Sequence, residues 1–132
     1  MATVQKFEEL EVWQLSRELC QKIYPLTFQD PIAKDFRYKD QIRGSCGSIM
    51  DNIAEGFGRG SKLEFINSLT IAKGEAEELK SQLYRGFDAH YLSDHLFKEL
   101  YNQADILVKK IGAFISYLNK SSHKGQKFKE RI

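Results

Sequence analysis

Little in this chain marks a specialised architecture. Its 132 residues include two cysteines, two prolines and one tryptophan. Cys20 and Cys46 lie among apolar positions of helical spacing, not at the intervals of a disulfide framework or a zinc site, and read as small buried hydrophobes. No run approaches the ~20 apolar residues that span a bilayer. Residues 1–10 hold no apolar stretch of signal-peptide length, so the expectation is a cytoplasmic protein with no membrane partner. Charge of one sign is also scarce: 20 Lys and Arg against 18 Asp and Glu leave +2, well short of the excess that marks a dedicated nucleic-acid clamp. Nine glycines and two prolines are too few for a collagen-like or low-complexity chain, and 42% apolar residues can close a core. The length fits one domain and argues against a multidomain enzyme.

What is present is helical rhythm. Asp30-Pro31 reads as an N-cap followed by proline at the first helical position, with one helix ending just before it. Gly56, Gly58 and Gly60 read as a stop, and Ser61 with Glu64 as the capping box that starts the next helix. Ser93-Asp94 offers a further N-cap, which makes four helical segments. The second carries Ile42, Cys46, Ile49, Ile53 and Phe57 at three-and-four spacing. The third carries Phe65, Leu69, Ala72, Ala76, Leu79, Leu83 and Phe87, and spans about 40 Å if it covers 61–89. In the fourth, Leu96, Leu100, Leu107, Ile111, Phe114 and Leu118 leave a gap for Gln103 or Ala104. Short connections between long helices with such seams predict an all-α, antiparallel up-and-down four-helix bundle over 1–121, followed by a flexible basic tail over 122–132. The first helix has two apolar stripes: Trp13, Cys20 and Tyr24 with Arg17 between them, and Val12, Leu15, Leu19 and Leu26. One stripe suffices for a bundle, so the other points to a homo-oligomer.

Chemistry is harder to find. Asn52, Glu55 and Arg59 share a face at the end of the second helix, either as a binding triad or as a Glu–Arg pair plus an asparagine that bonds across helices. The glycines that follow do not sit after a strand, as a phosphate loop requires; Arg59 and Lys62 at the next helix start remain a weak anion-binding candidate. His90, His95 and His123 do not assemble into a metal-ligand pattern. Glu75, Glu77 and Glu78 form an acidic patch without the inward Glu-x-x-His motifs of a di-iron bundle, with Glu78 the best candidate for burial. Ser45 and Ser48 have no catalytic partners, and Gly44 and Gly47 around them suit close helix approach. No catalytic residue, metal site or cofactor is therefore assigned, and the expectation is a non-enzyme. The basic residues fall into two groups. Arg37, Lys39 and Arg43 precede the middle of the second helix; Lys124, Lys127, Lys129 and Arg131 surround Phe128 in the tail, where phosphate contact and base stacking fit together. A symmetric assembly would repeat each group.

The blocks Phe7, Leu10, Val12, Trp13 and Gln14, then Gln41, Ile42 and Arg43, then Ser48, Ile49, Asn52, Ile53, Ala54, Glu55, Gly56, Gly58 and Arg59, with Glu64, Phe65, Ile71, Ala72, Gly74, Glu78, Leu79, Gln82, Leu83, Tyr91 and Leu92, resemble the family of four-helix-bundle proteins encoded in 23S rRNA intervening sequences. The resemblance covers nearly the whole chain and extends to the accessory variability proteins of diversity-generating retroelements. It implies a homopentameric ring, with Asn52, Glu55, Gly56, Gly58, Arg59 and Trp13 as motif or assembly residues. The basic groups, repeated around such an assembly, point to contact with RNA, single-stranded DNA or a ribonucleoprotein; the retroelement branch is associated with nucleic acid and a reverse transcriptase, and the low net charge argues against the latter here. In this chain Glu75 replaces a common serine, and His90 stands where a glycine often closes the third helix. The competing expectation is a protein–protein adaptor with no nucleic-acid role.

Overall fold

The computed structural model describes residues 4–121. They form four α-helices, α1 (Glu11–Ile23), α2 (Phe36–Gly58), α3 (Lys62–Asp88) and α4 (Asp94–Lys120), and no strand. Short 3-10 turns cover Phe7–Glu9, Tyr24–Phe28 and Ile32–Lys34. The helices pack as a four-helix bundle. Its neighbours are antiparallel: Lys80 and Tyr84 of α3 meet Asp105 and Tyr101 of α4, and Glu11 and Lys22 of α1 pair with Lys110 and Glu99 of α4.

The apolar rhythm becomes the core. Ile42, Cys46, Ile49, Ile53 and Phe57 of α2 and Phe65, Leu69, Ala72, Ala76, Leu79 and Leu83 of α3 are buried, while Phe87 is half-buried. In α4 the gap between Leu100 and Leu107 is filled by Ala104, fully buried, with Gln103 on its flank. Phe65 joins three helices through edge-to-face contacts with Phe57 at 5.6 Å and Phe114 at 5.5 Å. Burying a side chain of this kind stabilises by roughly 1.5–3 kcal/mol. α1 buries Val12, Ser16, Leu19 and Ile23. Leu15 and Leu26 beside them are half-buried, whereas in the Trp13 stripe Trp13 and Cys20 are half-buried and Tyr24 is exposed, so that stripe is only partly covered within one chain.

Helix ends follow local chemistry, with two corrections to the sequence reading. α1 stops at Ile23, because Pro25 has no N–H to offer and its ring opposes the preceding turn; the chain continues to Phe28 as a 3-10 turn. α2 is not capped by Asp30, nor does Pro31 open it. Pro31 follows a cis peptide bond in a turn, and the cap is Asp35, whose carboxylate accepts from the Tyr38 N–H at 3.1 Å. Ser61 and Ser93 cap α3 and α4, accepting from the Glu64 and Leu96 N–H groups, although no bond from the Ser61 N–H to Glu64 completes the expected capping box. The Glu64 carboxylate lies 3.6 Å from Arg59. Two residues beyond helix ends take left-handed backbone: Gly60 (φ 80°) and, at more cost, His90 (φ 65°).

Two glycines lie in the α2–α3 contact with no room for a side chain. A Cβ on Gly56 would overlap the Cβ of Ser68 and approach its Oγ to 2.7 Å, and one on Gly86 would collide with the Tyr38 hydroxyl. The expectation that Gly44 and Gly47 serve close approach is wrong. A Cβ at either would meet nothing within 4 Å, since both lie off the seam. No helix of the described residues is long and apolar enough to cross a membrane.

Candidate nucleic-acid interface

The early end of α1 leaves the first half of α2 beside an irregular connection instead of a full helix. Three rings stand exposed there: Tyr24 at 51%, Phe28 at 63% and Phe36 at 69%. Tyr24 and Phe28 meet edge to face at 5.1 Å, so neither stacks its face on the other. Arg43 reaches across from α2. Its Nε donates to Thr27 Oγ1 at 2.8 Å, and its guanidinium carbon lies 4.8 Å from the Tyr24 centroid and 4.6 Å from that of Phe28. These cation–π contacts and the Thr27 bond fix the fork in place. Lys39 lies 4.8 Å from the Phe36 ring and donates to the Ala33 carbonyl at 3.4 Å. Arg37, next to Phe36 in the first turn of α2, is exposed.

Of the acids nearby, two have local structural roles. Asp30 pairs with Lys34 at 3.4 Å. Asp35 accepts from the Tyr91 hydroxyl at 2.6 Å as well as from the helix N–H, and these two bonds, Tyr91 first, hold its carboxyl below the usual range. Asp40, exposed on α2, opposes the cations. The sequence reading found Arg37, Lys39 and Arg43 but missed the rings. Tyr24 was placed in an apolar stripe, and Phe28 and Phe36 were passed over. Pro25 was the signal, because a helix that stops there leaves those rings uncovered.

The other candidates are placed differently. Asn52 donates to the Ser48 carbonyl at 2.8 Å and to Ser48 Oγ at 3.0 Å, so its amide turns back onto α2 and does not bond across helices. Glu55 and Arg59 form the i, i+4 pair at 3.6 Å, and Arg59 also meets Glu64. Lys62 donates to the Ser121 carbonyl at 2.7 Å, tying the start of α3 to the end of α4. Trp13 packs edge-on against Phe7 at 5.0 Å with Arg17 over it at 5.8 Å. Glu78 is exposed, which corrects its selection as the best-buried acid; Glu75 is the half-buried one, its pKa raised by burial and by Glu78. Cys20 donates to the Cys46 carbonyl at 3.1 Å, and both thiols are free. Lys124, Lys127, Lys129 and Arg131 lie outside the described residues. Among the described residues no group of three or more His, Cys, Asp or Glu is placed to hold a metal ion.

The model of the family described as 23S rRNA-intervening sequence protein matches residues 8–113. The chain belongs to that family. A solved structure similar to it is a protein of unknown function from the S23 ribosomal protein family of Bacteroides thetaiotaomicron VPI-5482. The two share 27% identity, and the match covers 79% of this chain and 97% of that one with a TM-score of 0.72. None of the curated proteins matches.

For this member of the intervening-sequence protein family, the motif residues have visible structural work. Gly56 admits α3, Arg59 bridges the end of α2 and the first turn of α3, and Asn52 braces its own helix. Gly58 is exposed with open space around it. Gly86 and Ser68, which complete the α2–α3 contact, were not singled out by local sequence patterns.

Proposed function

We propose that this intervening-sequence family member is a non-catalytic, cytoplasmic homo-oligomer that holds nucleic acid, RNA first, at the corner formed by the Tyr24–Phe28 turn and the start of α2. The observation that carries the reading is the pairing of Lys39 and Arg43 with exposed rings, with Arg37 exposed in the first turn of the same helix. Cations that neutralise phosphates release counterions, and a ring assembly, pentameric as the resemblance implies, multiplies a modest patch into a strong one. Self-association is supported by Leu63 (68% exposed) and Ile71 (54%), both on the outward side of α3.

The test is fluorescence anisotropy with a structured RNA and a single-stranded DNA. With three phosphate contacts per protomer, affinity should fall about 20-fold between roughly 50 and 200 mM salt. Charge reversal at Arg37, Lys39 and Arg43 should flatten that slope. Binding that ignores salt, or none at all, would return the protein to the adaptor reading, for which Leu63 and Ile71 are the surface to probe.

A further inference from the structure

Resting on that reading, we infer that the ligand is a single strand of nucleic acid, with unpaired bases stacking on Tyr24, Phe28 and Phe36 while Arg43 and Lys39 hold the adjoining phosphates. Three features of the corner lead there. First, the rings are half to two-thirds open, although each has an apolar face that water solvates poorly. A duplex presents only phosphates, sugars and base edges to such a surface, whereas a single strand presents base faces. Second, the edge-to-face arrangement of Tyr24 and Phe28 leaves both with face area that their mutual contact does not use. Third, a cation lies over each ring within 5 Å of its centroid, Arg43 over Tyr24 and Phe28 and Lys39 over Phe36, so a base takes ring surface that the cation leaves open. A base stacked on any ring therefore has its phosphate next to a positive charge. Arg43 is also positioned in advance, since its Nε bond to Thr27 leaves the two terminal nitrogens for an anion. An apolar protein partner gains nothing from cations at every ring and would have to desolvate them.

The experiment uses the full-length protein and one labelled 20-nucleotide sequence, presented as single strand and as duplex at equal salt. Its variants are Phe28→Ala, Phe36→Ala and their double, with Arg37→Glu/Lys39→Glu as the charge control, which leaves Arg43 on Thr27 and its two rings. The rings are exposed, so the first three variants should keep wild-type circular dichroism. The expected result is binding to the single strand about 10-fold or more tighter than to the duplex. Each lost ring should weaken the single strand about 10-fold while leaving the duplex unchanged. Equal or tighter duplex binding that ignores the rings but falls with the charge control overturns this inference and leaves the general reading intact. No binding of either form ends both. If light scattering shows that the double ring variant has fewer subunits, the rings are a contact between copies and the inference is again overturned.

Discussion

Gly56→Ala should destabilise the bundle, while the same substitution at Gly44 should stabilise it. Both glycines lie inside α2, where alanine is favoured over glycine by up to about 1 kcal/mol. At Gly44 nothing lies within 4 Å of the added methyl, so most of that gain should be realised. At Gly56 the methyl runs into Ser68 Cβ and Oγ and lies 3.4 Å from Phe65. Ser68 Cβ is attached directly to the α3 backbone and cannot rotate away, so the two helices must separate. Overpacking of this kind costs about 1–3 kcal/mol. With the upper end expected and the propensity gain subtracted, Gly56→Ala should cost about 2 kcal/mol net, which places the two alanine variants roughly 3 kcal/mol apart. Urea unfolding at one protein concentration, followed by circular dichroism, measures this as a shift in midpoint at constant slope. Ser68→Gly provides the decisive second variant. If the clash is the cause, Gly56→Ala should cost at least about 1 kcal/mol less in the Ser68→Gly background, as a coupling energy. Equal stability of Gly44→Ala and Gly56→Ala, or additivity with Ser68→Gly, would refute the reasoning.

Three further outcomes are expected. His90→Gly should gain about 0.5–1 kcal/mol, since glycine relieves the left-handed backbone at φ 65° at some cost in unfolded-chain entropy, whereas His90→Ala should gain nothing; thermal melts distinguish them. Burial pushes the Tyr38 phenol up to about 12, so its proton stays on longer in the folded chain than in the unfolded one, where it leaves near 10. The associated stability is intact below pH 10 and is lost as pH rises through 12, about 2–3 kcal/mol for this shift, and Tyr38→Phe should remove that portion of the alkaline slope. Leu63→Asp/Ile71→Asp should leave helicity unchanged and reduce the subunit number in light scattering, and an unaltered assembly would take α3's outward side out of the interface.

Core membership was legible because it depends on period alone. Phe65, Leu79 and Leu107 are buried wherever the partner helices stand, as long as one face turns inward. Ser61 and Ser93 were legible because a cap involves only three or four neighbouring residues. The α1–α2 connection was misread where two local signals competed. Asp30-Pro31 has the chemistry of a helix start, but the helix begins at Phe36, where Asp35 can serve the Tyr38 N–H while Tyr91 holds its other oxygen. That second bond comes from 56 residues away and leaves no local trace. The glycines follow the same division. Gly60 could be read as a terminator from its position, but whether Gly44 or Gly56 meets another helix depends on the α2–α3 register. Asn52 reads as a bridge between helices, within one chain or between subunits, yet within the chain its amide nitrogen donates to a serine one turn earlier.

The candidate site is a consequence of unequal helix lengths. α1 has 13 residues against 23 in α2 and 27 in both α3 and α4. On its α3 side α2 is sealed from Tyr38, whose hydroxyl donates to the Gln82 carbonyl at 2.7 Å, to Gly56 against Ser68. On its α1 side the regular partner ends at Ile23, and the turn that replaces it carries Tyr24 and Phe28 exposed. The α3 flank therefore carries stability, and the α1 flank carries the proposed binding corner. Changes at Gly56, Ser68, Tyr38 or Gly86 move the helices, while changes at the exposed Phe28 or Phe36 leave the helix packing in place. Arg43 is the exception, because it bonds Thr27 and packs on two rings at once. Its loss should loosen the Tyr24–Phe28 turn as well as remove a charge. Lysine at position 43, which keeps the charge but not the fork, separates those two effects.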